Sequence, residues 1–237
     1  MDYTEYFEPL EKARETGAGA EALRLSQIAL LDAGMQNDPV LAINAYGHQL
    51  LVFKDEHART GNVFYLHCMH SLAIAGIALA KDLGVTGQPV AVMHLRLGDY
   101  FFQCGKFAEA VGELEQALAI TKAVEQEKPG EYAEYLSHLG KAKVYAGDAS
   151  GVVQLEQAVE KTAGVTELRE FHRMTVHSGN MLRLMAAEVV LGHTDRARGI
   201  LNEIVPIARS LEVEYGMPMR MEQVRKAAVQ LGVELPE

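Results

Sequence analysis

The chain has 237 residues, 49% of them apolar, with 22 basic against 32 acidic side chains and a formal net charge of −10. That balance excludes a disordered polymer and supplies a sizeable core without metals or disulfides. It also argues against duplex nucleic acid or an anionic membrane as partner, because affinity for phosphate comes from clustered Lys and Arg, and it leaves basic and amphipathic partners open.

Cys68 and Cys104 are the only cysteines, which reads as two reduced residues in a reducing compartment. The N-terminus carries acidic groups where a secretory signal needs basic ones. The longest strongly apolar run, Leu72 to Ala80, is shorter than the roughly 20 residues that span a bilayer. A cytoplasmic protein without membrane attachment is expected.

Apolar residues recur at helical spacing and no sustained alternation suggests a strand, so an all-α chain is expected. In chain order the pattern predicts helix pairs over 2–16 and 19–34, 39–58 and 62–83, 89–104 and 107–126, 130–146 and 150–162, and 167–191 and 194–212. A last helix over 218–231 covers the remaining face. In the segment from Phe107 to Ile120, Phe107, Ala110, Val111, Leu114, Ala117 and Leu118 share one side, giving a single buried stripe. Pro39, Pro89, Pro129 and Pro218 stand at helix starts, where a missing N–H costs nothing. Pro206 alone is placed mid-helix and is expected to kink its stretch. In the last helix Met221, Val224, Ala228 and Leu231 face inward, with Arg220, Arg225 and Lys226 in solvent.

A repeat underlies these pairs. Gly17, Gly61, Gly105, Gly147 and Gly192 follow one another at 44, 44, 42 and 45 residues, and each is followed five residues later by Ala22, Leu66, Ala110, Val152 or Ala197. Ala29, Ala73 and Ala117 come seven residues further on, with Ala158 serving the fourth unit. Such units leave an apolar face that only stacking can cover, so one domain over 1–237 is expected, with units 2–34, 39–83, 89–126, 130–162 and 167–212 and a cap at 218–231.

The units resemble the tetratricopeptide repeat (TPR) superfamily. Leu97-Gly98, Phe101, Gly105, Ala110, Leu114 and Ala117 carry the likeness best, followed by Leu139-Gly140, Gly147, Val152, Leu155 and Ala158. The period near 44 departs from the family's 34, there is no Trp, and Lys143 holds the aromatic position of the fourth unit. The longer period is similar to the long-helix versions in bacterial peptide-sensing regulators and in light chains of motor proteins. The resemblance implies an α-solenoid, a right-handed superhelix of about five helix pairs, that holds a protein or peptide in a concave groove lined by the first helix of each pair.

Carried onto this sequence, groove positions are Leu95, Asp99, Phe102 and Gln103 in the third unit and Glu134, Ser137, Lys141 and Tyr145 in the fourth. The fifth unit offers Leu182, Ala186 and Val189 with polar Asn180 and Arg183, and the second offers Asn44, His48 and Gln49. Amide and charged side chains can bond an extended backbone, and Phe102 and Tyr145 add apolar contact. Against this stands the plain reading of solvated residues on amphipathic helices.

His67-Cys-Met-His70 is the tightest histidine group, with His94 or Cys104 as further ligands if they meet it, and His172 with His177 is weaker. Without paired Cys-x-x-Cys or His-Glu-x-x-His, no metal and no cofactor is expected. No nucleophile elbow or phosphate loop appears, so no enzyme is expected. Glu109, Glu113, Glu115, Glu125, Glu127 and Glu131 read as solvated surface. The expected function is a non-catalytic protein- or peptide-binding scaffold; the alternatives are a self-assembling subunit, with homo-oligomerisation open, and a helical enzyme with a site no motif reveals.

Overall fold

The computed structural model describes residues 3–125, 128–166 and 168–235. The expected helix bounds at 2, 126 and 167, and Glu127, lie outside them. Among the described residues there are eleven α-helices and no strand. Helix α1 spans Thr4–Glu15, α2 Gly19–Gln36, α3 Pro39–Thr60, α4 Val63–Asp82, α5 Gln88–Gln103 and α6 Phe107–Thr121. Helix α7 spans Pro129–Tyr145, α8 Gly151–Ala163, α9 Glu170–Val190, α10 Thr194–Tyr215 and α11 Met219–Leu231. The expected pairs are present, with a short 3-10 turn at Lys122–Val124 after α6.

All five repeat glycines have left-handed backbone, with φ from +69° to +91°, and each ends the first helix of its pair. A side chain there would crowd the following carbonyl, which explains why this position recurs as glycine. The side chain of Asp38 opens α3 by accepting from Leu41 N–H at 2.9 Å, and that of Asn62 opens α4 by accepting from Phe64 N–H at 3.0 Å.

Two prolines lie inside helices rather than one. Pro206 sits in α10, which continues unbroken to Tyr215, and Pro9 lies within α1. Both rings are exposed, so solvent takes the carbonyls they leave without a partner.

The chain divides into two compact units, Met1–Ile120 and Thr121–Glu237. In the first, α1, α3 and α5 pack side by side, and α2 and α4 pack against them. Ala22, Ala29 and Ala33 of α2, Ala73 and Ala80 of α4, and Leu41, Ile43, Leu50 and Met93 are almost wholly buried. In the second, α7 packs on α8 and α9, α9 on α10, and α11 closes on α9 and α10 through Met221, Val224, Ala227, Ala228 and Leu231.

Helix α4 is long and apolar enough to cross a membrane by length and composition, with a mean hydropathy of 1.7 over its most apolar stretch. The Leu72 to Ala80 run therefore understates it. What marks α4 as a repeat helix is its packing on α3 and α5 through Leu66, Met69, Ala73, Gly76 and Ala80.

Backbone meets backbone where α7 crosses α8. A Cβ on Gly140 would come 2.6 Å from the carbonyl oxygen of Gly151, and a Cβ on Gly151 would come 2.2 Å from that of Gly140. Glu188, wholly buried on α9, fastens the next turn with its carboxylate 2.7 Å from His193 Nδ1 and 2.9 Å from Arg196 Nη1.

These distances predict opposite outcomes for two glycine substitutions. Gly140→Ala forces two backbones apart and should cost about 2–3 kcal/mol in urea unfolding. Gly112→Ala lies inside α6 with open space around it and should stabilise by about 0.5–1 kcal/mol.

Candidate functional site

The first helices of the pairs carry the expected groove residues, and the two units treat them differently. In the first unit α1, α3 and α5 are bound together by charge pairs. Arg14 of α1 donates to Asp55 of α3 at 2.6 Å and also pairs with Glu15. Lys54 of α3 reaches Asp99 of α5 at 2.7 Å, and Arg96 reaches the same carboxylate at 3.0 Å. Asp99, an expected ligand reader, is thus buried and engaged inside the fold. Its spacing from Arg96 by three residues is a helical ion-pair signal that sequence reasoning passed over.

His48 is also taken up by the fold. It stacks on Phe7 of α1, with ring centroids 4.2 Å apart and planes 18° from parallel, and its Nδ1 is buried without a hydrogen-bond partner. Its pKa is lowered to about 4, chiefly by burial, which Glu11 opposes and the nearby Arg14 and Arg96 reinforce. Asn44, one turn earlier, is half-buried. Phe102 turns to Phe107 of α6, with centroids 5.2 Å apart, and Gln103 is exposed. Leu95, expected in the groove, is 1% exposed and belongs to the core.

In the second unit the expected residues converge. Ser137 of α7 and Asn180 of α9 are both fully buried, with Ser137 Oγ 2.7 Å from Asn180 Oδ1. Arg183 Nη1 donates to Asn180 Oδ1 at 3.0 Å and to Ser137 Oγ at 3.3 Å, and Nη2 contacts His138 Nε2. Glu134 Oε1 lies 4.0 Å from that imidazole nitrogen. One helical turn on, the Lys141 ammonium lies 5.6 Å from the centre of the Tyr145 ring, a cation–π contact, and burial raises the Tyr145 pKa. The expected groove residues Glu134, Ser137, Lys141 and Tyr145 therefore lie on α7, and Asn180 and Arg183 lie on the adjacent first helix α9.

Two participants were not anticipated. His138 is buried against Arg183, and Arg220 of α11, expected in solvent, is half-buried and donates to Thr175 O at 2.8 Å. No sequence pattern places Arg220 beside α9, because they are 45 residues apart and meet only when α11 docks. Leu182 is half-buried, and Val189 is exposed.

The histidine groups scatter. His67 is exposed, while His70 packs against Tyr100 with centroids 4.5 Å apart. His177 Nδ1 is 2.9 Å from Thr162 Oγ1, and His172 lies against Phe171. Among the described residues no three His, Cys, Asp or Glu side chains group as metal ligands. The acidic residues are not all plain surface either, since Glu113 is 2.8 Å from His94 and Glu125 is 2.8 Å from Lys161.

No family model matches the sequence, and no curated protein does. Among solved structures, the chain is similar to a Podosopora anserina protein described as a kinesin light chain with nearly identical TPR-like repeats, at 18% identity and a TM-score of 0.55, over 88% of this chain and 96% of that one. A second form of that protein, carrying a single substitution, matches at 17% identity and 0.56, over 91% and 99%. BtubC (BKLC) from P. vanneervenii matches at 19% identity and 0.58, over 85% and 77%. The chain has a TPR-like helical-repeat fold.

His48 makes stability pH-dependent. Its pKa in the folded chain is depressed below the 6.5 of the unfolded one, so its contribution is intact above that value and is lost as pH falls toward 4. Urea unfolding should show a loss of about 3 kcal/mol from this group across that interval, and His48→Gln should flatten the profile there.

Proposed function

We propose that the chain is a non-catalytic scaffold that holds a segment of another protein along the first helices of its second unit, as an adaptor or regulatory module inside the cell. The observation that supports this best is the continuous run of polar and cationic side chains from Glu134 through Asn180 to Arg183, ordered by hydrogen bonds between two adjacent helices. The buried Ser137 and Asn180 hold Arg183 in place, and the half-buried Glu134, Lys141 and Arg183 offer a protein backbone an acceptor and donors, with Tyr145 as an apolar neighbour. TPR-like neighbours add weight, since helical repeats of this kind commonly bind proteins.

A second reading, assembly of copies of the chain, draws on apolar side chains of the second helices. Leu31 and Met35 of α2 are 69% and 79% exposed, and Val63 and Phe64 of α4 are 61% and 62% exposed. Scattered exposed apolar residues are common, so this reading ranks below the first.

The pair Lys141→Glu and Arg183→Glu tests the proposal. Affinity capture from the native extract should recover a stoichiometric polypeptide on the wild-type chain and at least ten-fold less of it on the double variant, with unchanged circular dichroism. Equal recovery on both, or recovery of the chain alone as a stable oligomer by light scattering, contradicts it.

A further inference from the structure

Helix α4 has two seams. One runs from Leu66 to Ala80 and packs on α3 and α5. The other consists of Phe64, His67, Ser71, Ile74, Ala78 and Lys81, all of them exposed, Phe64 by 62% and Ile74 by 48%. The steps along it alternate between three and four residues for the length of the helix, which is the spacing of a coiled-coil seam. The exposed apolar residues of α4 are therefore aligned rather than scattered. From Thr60 to Ala80 the chain carries no Asp, Glu, Lys or Arg, its longest such run, in a sequence that is 23% charged.

Charge and side-chain size together say what covers this seam. With a net charge of −10, two copies of the chain repel one another over most of their surface, and an uncharged seam is where they can touch without that repulsion. Size falls along the seam from the bulky Phe64 and His67 to Ala78, so two copies side by side in the same direction would crowd one end and leave a gap at the other. Turned end for end about a two-fold axis between Ser71 and Ile74, the seam complements itself. His67 then lies opposite the second copy's Ala78, Ser71 opposite its Ile74, and Phe64 opposite its Lys81, which gives a cation–π pair at each end. The antiparallel arrangement also sets each helix N-terminus beside the other's C-terminus, as the helix dipoles favour.

We propose that this outer seam of α4 is a homodimer interface, in which two copies of the chain pair antiparallel. The pairing goes beyond the segment-binding reading and is independent of it, since it uses no residue of α7 or α9. A dimer that also captures a polypeptide satisfies both.

Sedimentation velocity of the whole chain, loaded from about 1 to about 100 μM, tests this over the affinities within reach of a small interface. The wild type should reach twice the chain mass. Ser71→Glu and Ile74→Lys should each weaken the dimer at least ten-fold with unchanged circular dichroism, because both positions are exposed. Combining the two should restore the dimer, since the new charges face each other across the axis. Leu31→Glu, at an exposed apolar position of α2, should sediment as the wild type does. A wild-type monomer over the whole range overturns the proposal, and its co-sedimentation with phosphatidylcholine vesicles would assign the seam to a membrane surface instead. A dimer that Ser71→Glu leaves intact overturns it and puts the contact elsewhere on the chain. Two weakened single variants with no recovery in the double variant overturn the antiparallel pairing.

Discussion

Contact between helices at bare backbone or alanine sets the geometry on which everything else in this chain rests. Where Gly140 and Gly151 touch, α7 and α8 approach so closely that neither position has room for a Cβ, and the larger Leu155 lies beside them. Ala110 and Leu114 beside Gly98 repeat the arrangement between α5 and α6. The left-handed glycine that follows each first helix turns the chain back at the same point in every pair. Given those two constraints, the first helices of a unit fall next to one another, and side chains more than forty residues apart in sequence become neighbours.

What the two units do with those neighbours differs in electrostatics rather than in architecture. In the first, cation and carboxylate alternate across α1, α3 and α5, so the face closes on itself and the buried, neutral His48 sits in its middle. Breaking one partner of such a pair leaves a costly unpaired charge, which gives this network a role in holding the helices in register. In the second, amide, hydroxyl and imidazole groups contact the guanidinium of Arg183 and hold it in place. The same backbone plan thus carries a face cross-linked by ion pairs in the first unit and one built on amide, hydroxyl and imidazole contacts in the second.

The helices and turns were legible in the sequence because they depend on local rules. Glycine at φ near +80°, proline in the first turn and apolar spacing near 3.6 residues each act over a few positions, and the pairs they predicted match those found. The site was legible only in part. Asn180 and Arg183 lie one turn apart and could be read together, and the repeat register supplied Ser137, but His138 and Arg220 join them through packing that no local pattern encodes. Asp99 and His48 misled for the complementary reason. Polar residues on a first helix look like readers of a ligand until the facing helix supplies Lys54 to one and Phe7 to the other. Pro9 within α1 and the apolar extent of α4, though not its bounds, were missed because proline in an exposed helix and histidines within an apolar one both weaken the patterns that mark them.

The central claim is that the first helices of the second unit form the recognition face. Amide hydrogen exchange of the whole chain, with and without a saturating amount of the captured polypeptide or of an enriched peptide, measures this directly. Slowed exchange in α7 and α9, with α1, α3 and α5 unchanged, is the predicted result. Protection confined to α2, α4, α8 or α10 would place recognition on the second helices and contradict the account.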